Sequence, residues 1–288
     1  MTDPSPADVG IVTVSYDSGE SLRSFLASVA STSTPAQIVV VENHPSPRHT
    51  AALARDAGAR YVARPDNPGY GAAVNSGVAA LDPSVRWILV ANPDVVLHPD
   101  AVSRLVARAE GAADIAAVGP AIITDGHVYP SARPQPSLGL GIGHALFADV
   151  WKSNPWTARY HAHASDPDLG VGWLSGACLL LRRTAFEQIG GFDESYFMYF
   201  EDVDIGRRII AEGMRSIYLP EAVVEHVGGH AADPASPAMI AAHHASADHF
   251  LSRRYPQWYL APLRGALRAG LRIRGRLVRR AAARAAAR

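Results

Sequence analysis

The first hundred residues alternate short β-rich runs with stretches of helical period, and this alternation constrains the fold more than any other feature of the chain. Val9 to Ser15 reads as a strand, Gly19 to Ala30 as a helix with Leu22, Phe25, Leu26 and Val29 along one face, and Gln37 to Val41 as the next strand. Tyr61 to Ala63, Gly71 to Leu81 and Trp87 to Ala91 repeat strand, helix, strand, and Asp100 to Ala109 adds a helix. Units of this kind cover both faces of a sheet with helices, so the expected fold class is α/β with a mostly parallel central sheet. With 48% hydrophobic residues, 288 residues can fill the core of one large domain or two small ones.

Further along the pattern loosens. From about Pro130 to Gly170 the chain is rich in Gly, Pro and His and predicts an irregular segment. Leu174 to Leu181 reads as one strand, Thr184 to Ile189 and Asp202 to Glu212 as helices stopped by glycines, and Ser216 to Leu219 and Val223 to His226 as two short strands. From Trp258, Leu260, Leu263, Leu267, Leu271 and Val278 form an apolar stripe among arginines, a basic amphipathic helix. The expected organisation is an α/β domain over 1–228 and a helical, arginine-rich extension over 229–288.

The formal net charge of zero conceals a strong asymmetry. Eleven of the 27 Lys and Arg residues lie between Arg253 and Arg288 with no acid among them, leaving 16 basic residues (27 less 11) against 27 acidic ones in the body. Such a tail suits an anionic surface. No apolar run approaches the roughly 18 residues that span a bilayer, and the acidic, polar N-terminus does not resemble a signal peptide, so a cytoplasmic protein is expected. The single cysteine, Cys178, sits among apolar residues and excludes an internal disulfide; a buried, inert thiol is expected.

Ligands of open α/β sheets bind at the carboxyl ends of the strands. Three of those ends are polar: Ser15-Tyr16-Asp17, Glu42-Asn43 and Asn92-Pro93-Asp94. Together they suit a nucleotide, with Glu42 accepting from the base, Tyr16 stacking or packing on it, and Asp94 binding a divalent metal at a diphosphate. No G-x-G-x-x-G or G-x-x-x-x-G-K-[ST] follows the first strand, which argues against a dinucleotide cofactor or a P-loop. Asn67-Pro68-Gly69-Tyr70-Gly71 opens a helix; its glycines either let backbone approach a donor or mark an ordinary helix start.

The second half contributes carboxylates, Asp193-Glu194 and Glu201-Asp202-Val203-Asp204, around the run Tyr196 to Phe200. Acids in the first turn of a helix offset its dipole; alternatively, one of Glu201 and Asp202 takes the proton of an attacking hydroxyl. The aromatic run is a sugar-stacking platform or core. His226 ends a short strand, where it either completes a metal shell begun by Asp94 or is structural. His243, His244 and His249 fall on a predicted helix without matching ligands and are assigned no chemistry.

Six motifs in order, spanning Val9 to His226, resemble the inverting glycosyltransferases of family two, whose nucleotide-diphospho-sugar transferase fold is called GT-A. They are Val12-Thr13-Val14-Ser15-Tyr16; Val39-Val40-Val41-Glu42-Asn43; Asn67-Pro68-Gly69-Tyr70-Gly71 with Asn75 and Gly77; Asn92-Pro93-Asp94; Trp173-Leu174-Ser175-Gly176-Ala177; and Gly190-Gly191-Phe192-Asp193-Glu194 leading to Tyr199-Phe200-Glu201-Asp202-Val203-Asp204. The Asn-Pro-Asp variant and the stretch Phe197 to Asp204 are most similar to the rhamnosyltransferase branch. The resemblance implies a nucleotide site of Ser15, Tyr16, Glu42, Asn67, Gly71 and Asn92, and Mg²⁺ or Mn²⁺ on Asp94 and His226. It further implies Asp202 as general base with Glu201 in support, and an acceptor site at Trp173, Ser175 and Gly176. Two departures stand out: Asn92-Pro93-Asp94 replaces the common Asp-x-Asp, and Glu42 replaces the usual Asp, reaching one methylene further.

The same resemblance implies a dTDP-L-rhamnose donor, a polyprenyl-diphosphate-linked N-acetylglucosamine acceptor and α-1,3 bond formation with inversion, in the synthesis of a cell-wall linker. Such an acceptor sits in a bilayer, so the tail is expected to dock on the anionic inner membrane surface as a peripheral anchor, each basic residue contributing roughly 1 kcal/mol. A solvated helix or packing in a homodimer is the alternative for the tail. The rival functions are transfer with another donor or acceptor and non-catalytic nucleotide-sugar binding. A nucleic-acid partner is not expected, since basic charge alone gives only nonspecific affinity.

Overall fold

The computed structural model describes residues 8–136, 170–227 and 236–270. Four parallel strands, β1 (Val9–Ser15), β2 (Ala36–Glu42), β3 (Arg60–Ala63) and β4 (Trp87–Ala91), are linked by α1 (Gly19–Ala30), α2 (Thr50–Asp56) and α3 (Tyr70–Ala79). After β5 (Val95–Leu97) and α4 (Ala101–Glu110) come β6 (Ile115–Thr124), β7 (His127–Tyr129) and β8 (Ala132–Arg133). The second half adds β9 (Trp173–Leu174), β10 (Cys178–Arg182), α5 (Arg183–Gln188), α6 (Glu201–Ala211), β11 (Arg215–His226) and α7 (Pro237–Arg254). Among the described residues the main sheet runs β3-β2-β1-β4-β10-β6-β11-β5 with β7 beside β6, while β8 and β9 pair separately. Strand order reverses between β1 and β4, the kind of switch point beyond whose strand ends open α/β sheets bind their ligands.

The core divides by the pleat. Ile11, Val40 and Leu89 face α1, α2 and α4, whereas Val12, Val39, Val41, Ile88 and Val90 face α3, α5 and α6. A strand covered on both faces must be apolar throughout, which is why β4, Trp-Ile-Leu-Val-Ala, shows no alternation and is buried along its length. A third, smaller cluster forms where α7 lies on the loop before α6: Phe250 packs with Tyr196 and Val203, and Ser246 Oγ donates to the carbonyl of Met198 at 2.7 Å. The expected boundary at 228/229 lies outside the described residues, as do residues 137–169 of the segment read as irregular and the tail beyond Gly270.

Two expectations change. Leu174 to Leu181 is not one strand: the chain leaves β9 at Ser175, whose N–H donates to Ser131 O, and re-enters the sheet at Cys178 between β4 and β6. The two short final strands are one, β11, with a register shift between Leu219 and Val223. Periodicity did not reveal β6 because Gly119-Pro120 argues against a central strand. The sheet accommodates the missing N–H of Pro120: pairing with β10 ends at Val118, and the shift in β11 falls opposite Pro120-Ala121. α2 is not legible in the periodicity either, since only Leu53 and Ala54 give it a buried apolar contact.

Candidate active site

The tips of β1 and β2 lie in register, Ser15 opposite Glu42. Glu42 is 1% exposed, and its carboxylate is occupied by the protein itself. Oε2 accepts from Ser15 Oγ at 2.8 Å and from Thr50 Oγ1, while Oε1 accepts from the N–H of His44 at 2.7 Å and of Asp17 at 3.1 Å. Four donors fill the four lone-pair positions of a carboxylate. In this state Glu42 ties the loops after both strands together and presents no free acceptor to a base. The rim beside it is Tyr16, 43% exposed and edge-on to the His44 ring at 4.8 Å, and Asp17, paired with Arg48 at 2.8 Å. The Arg48 N–H, together with that pairing, holds the Asp17 carboxyl below its ordinary range.

At the end of β4 the chain turns through Asn92-Pro93-Asp94 into β5, which pairs with β11 so that His226 faces Val95. The register brings His226 Nε2 to 3.3 Å from Asp94 Oδ1, and Val227 N–H donates to Asp94 O at 3.0 Å. Asp94 Oδ1 is buried without a hydrogen bond of good geometry, and Asp94 raises the His226 pKa above its ordinary value. A carboxylate oxygen and an imidazole nitrogen this close, one of them orphaned, fit two ligands of a divalent cation, which would require His226 in its neutral form. Among the described residues no third His, Cys, Asp or Glu joins them, so Asp94 and His226 are the two side chains that would hold such a cation.

The surroundings of Asp202 are built across the sheet. Asp202, in the first turn of α6, accepts from Gly176 N–H at 3.2 Å and Val203 N–H at 2.8 Å. Gly176 O in turn accepts from Tyr70 Oη at 2.9 Å, and Asn92 N–H donates to Ala177 O at 2.9 Å. One short turn thus joins the ends of α3, β4 and α6. Gly69, at φ +101°, lets α3 meet the aromatic loop; a Cβ there would stand 2.3 Å from the carbonyl oxygen of Phe197. Gly206 does the same for α6, where a Cβ would fall 2.7 Å from Gly172 O. Four of the five described non-glycine residues with positive φ, Asp17, Asn67, Tyr199 and Phe200, lie on the loops that carry or adjoin these residues, the pattern of backbone strain held at a functional site.

Glu201 is 7% exposed with Oε2 unpaired, and burial, reinforced by the charge of Asp202, pushes its carboxyl up to about 8. Burial also raises Asp202, against the pull of its backbone N–H donors. A folded-state value above the unfolded one means stability that is present at low pH and lost as pH rises through about 8. Glu201→Gln is therefore expected to unfold at a higher temperature than the parent above pH 8 and to lose this advantage below about pH 5; melting curves across that range check it.

The structure brings Asp202, Glu201, Gly176, Ser175 and Asn92 together, joins Asp94 to His226, and gathers Ser15, Tyr16 and Glu42 at the neighbouring strand ends. Gly71 packs tightly, since a Cβ at this position would stand 2.9 Å from Phe192 Cβ, and Asn67 serves a turn through its N–H to Arg64 O at 3.0 Å. Trp173 is half-buried beside Arg133. Three residues of the site carry no assignment from the sequence. Tyr70 stands inside a quoted motif and is partly buried; burial, reinforced by the charges of Glu201, Asp202 and Asp94, raises its pKa well above the ordinary value. Asn75 bonds both backbone groups of Phe192, at 2.9 Å each, and so fixes the loop carrying the acids. Arg133 lies in a segment where periodicity carries no signal. Cys178 is buried and pushed up to about 12, the inert thiol expected.

This sheet, with its switch point between β1 and β4, its Asp94–His226 pair and its carboxylates at the start of α6, is the GT-A architecture of nucleotide-sugar-dependent glycosyltransferases. Structures of the same fold include the mannosyltransferase of Pyrobaculum calidifontis in complex with GDP-Man and Mn²⁺, at TM-score 0.58 and 15% identity over 99% of this chain and 77% of that one. GalNAc-T7 with UDP, GalNAc and Mn²⁺ superposes at TM-score 0.60 with 14% identity, covering 95% of this chain and 55% of the other. The family model described as glycosyltransferase like family 2 matches residues 6–245, and the chain belongs to that family. The N-acetylglucosaminyl-diphospho-decaprenol L-rhamnosyltransferase of Mycobacterium tuberculosis is 42% identical over 99% of this chain and 95% of its own length. A low-salt glycan biosynthesis hexosyltransferase of Haloferax volcanii is 28% identical over 72% of this chain and 63% of its own.

Proposed function

We propose that the chain transfers L-rhamnose from dTDP-L-rhamnose, with inversion, to N-acetylglucosamine carried on a polyprenyl diphosphate. What carries this reading is the full-length likeness to the mycobacterial rhamnosyltransferase, joined to a carboxylate, Asp202, held ready beside the Ser175-Gly176 turn. The acceptor hydroxyl attacks the anomeric carbon on the face opposite the diphosphate, its proton passes to Asp202, and the bond from the anomeric carbon to the diphosphate oxygen breaks. A single displacement inverts the centre. Asp94 and His226 are the residues that would hold Mg²⁺ or Mn²⁺, whose charge stabilises the departing diphosphate. Glu201, buried and protonated near neutral pH, keeps a second negative charge away from Asp202.

The lipid acceptor requires a bilayer surface. Among the described residues no helix is long and apolar enough to cross a membrane, while Trp258 and Tyr259 are 85% and 62% exposed at the start of the arginine-rich extension. Aromatic rings flanked by arginines suit the headgroup layer of the anionic inner leaflet. The test is a transfer assay on membranes bearing the lipid-linked acceptor, with dTDP-rhamnose offered beside UDP-sugars. Rhamnose-selective transfer that EDTA abolishes and Mg²⁺ or Mn²⁺ restores is the expected result. Selective use of a UDP-sugar would refute the donor, and full activity in EDTA would refute the metal.

A further inference from the structure

Arg133 is a cation placed at the base without a carboxylate of its own. Its guanidinium lies over the rings of Tyr129 and Trp173, 5.6 and 5.4 Å from their centroids, and its Nε donates to Pro130 O at 2.8 Å. Nη2 reaches Tyr129 Oη only at 3.5 Å, and among the described residues Nη1 has no hydrogen-bond partner and no Asp or Glu forms an ion pair with Arg133. The aromatic rings fix its direction but leave charge and donors unspent.

Its position is rigid relative to Asp202. Arg133 pairs in register with Trp173, and two residues later Ser175 N–H bonds Ser131 O at 2.7 Å; the next N–H, of Gly176, bonds Asp202. The electrostatic influence of Arg133 reaches Asp202. The donor diphosphate would find its counter-charge in the divalent cation that Asp94 and His226 would hold, on the turn after β4 and on β11. An acceptor that offers a sugar hydroxyl to Asp202 carries its own diphosphate about one sugar ring away, and the rigid guanidinium fork of Arg133, with donors to spare, suits such a group.

Resting on the function proposed above, we infer that Arg133 binds the acceptor's diphosphate, so that the enzyme selects an anionic lipid-diphosphate sugar over a neutral glycoside. The role is recognition of the acceptor rather than chemistry at the reacting atoms. The Tyr129 and Trp173 rings hold the guanidinium in place, and Lys, a point charge without the planar fork, recovers only part of the effect.

The experiment uses the full chain, dTDP-rhamnose and two acceptors of equal alkyl length, an N-acetylglucosaminyl diphosphate lipid and the corresponding neutral alkyl N-acetylglucosaminide. For Arg133→Gln the KM of the diphosphate acceptor is expected to rise about ten- to a hundredfold, with the KM of the neutral acceptor and of the donor within about twofold of the parent. Arg133→Lys should fall between. Equal losses on both acceptors with a displaced pH–rate profile would mean that Arg133 acts on Asp202, and equal losses without displacement would mean packing; either overturns the inference, as does no change at all. A parent enzyme that uses neither acceptor with dTDP-rhamnose removes the proposed function itself, and this inference with it.

Discussion

Asp202→Asn lowers the rate of sugar transfer by about a thousandfold while the affinity for dTDP stays within about twofold, the expected result if this carboxylate takes the acceptor's proton. The amide keeps the shape and loses the basicity. Its single oxygen can still accept from Val203 N–H, now bonded at 2.8 Å, whereas the longer 3.2 Å contact from Gly176 N–H would face an NH₂ group. Some loosening of the Ser175-Gly176 turn follows, and acceptor KM rises modestly with it. Among the described residues the side chain of Asp202 is hydrogen-bonded by Gly176 and Val203 and not by the polar ends of β1 and β2, where the donor is proposed to bind, so donor binding serves as the internal control. Single-turnover transfer and calorimetric dTDP titration measure the two quantities separately; a parallel loss of both would assign Asp202 to structure or to the donor instead.

Glu42→Ala should unfold more readily by about 3–5 kcal/mol, because it strands two hydroxyls and two backbone N–H groups that all point at one buried carboxylate. At roughly 2–4 °C per kcal/mol this is a drop in Tm of about 10 °C. Nucleotide affinity should fall without regard to the base, dTDP and UDP alike, since the loops carrying Tyr16 and Asp17 lose their common anchor. Glu42→Gln is expected to be only partly better, its NH₂ set against N–H donors. A Tm unchanged to within about 2 °C, less than 1 kcal/mol on the same scale, with selective loss of one base, would restore Glu42 to direct base recognition.

Much of the architecture is legible in the sequence because it is local. β1, α1 and β4 have the expected limits: their apolar spacing, the glycines and the polar strand ends all agree. The pairing of Asp94 with His226 follows once each is recognised as closing a strand. What escapes is non-local. Whether a carboxylate like Glu42 has a free lone pair depends on how Thr50 and the His44 N–H fold back upon it, and no spacing rule encodes that. β6 hides behind Gly119-Pro120, and the break at Ser175 hides inside an apolar run because each half of that run serves a different sheet. Arg133 acquires meaning only when β8 and β9 meet across the chain.

The place of β10 has a consequence for how the chain is made. β4 is complete about 90 residues before β10, yet among the described residues β10 is the strand that covers its far edge and connects it to β6. At about 5–20 residues per second a ribosome leaves that apolar edge open for roughly 5–18 s. During this interval the nascent sheet β3-β2-β1-β4 has an unpaired, wholly hydrophobic border, the kind of template on which strands of other chains add. Fragments that stop before Cys178 should accordingly aggregate rather than fold as a smaller nucleotide-binding unit, and holdase chaperones should act on this protein chiefly before residue 182 has left the exit tunnel.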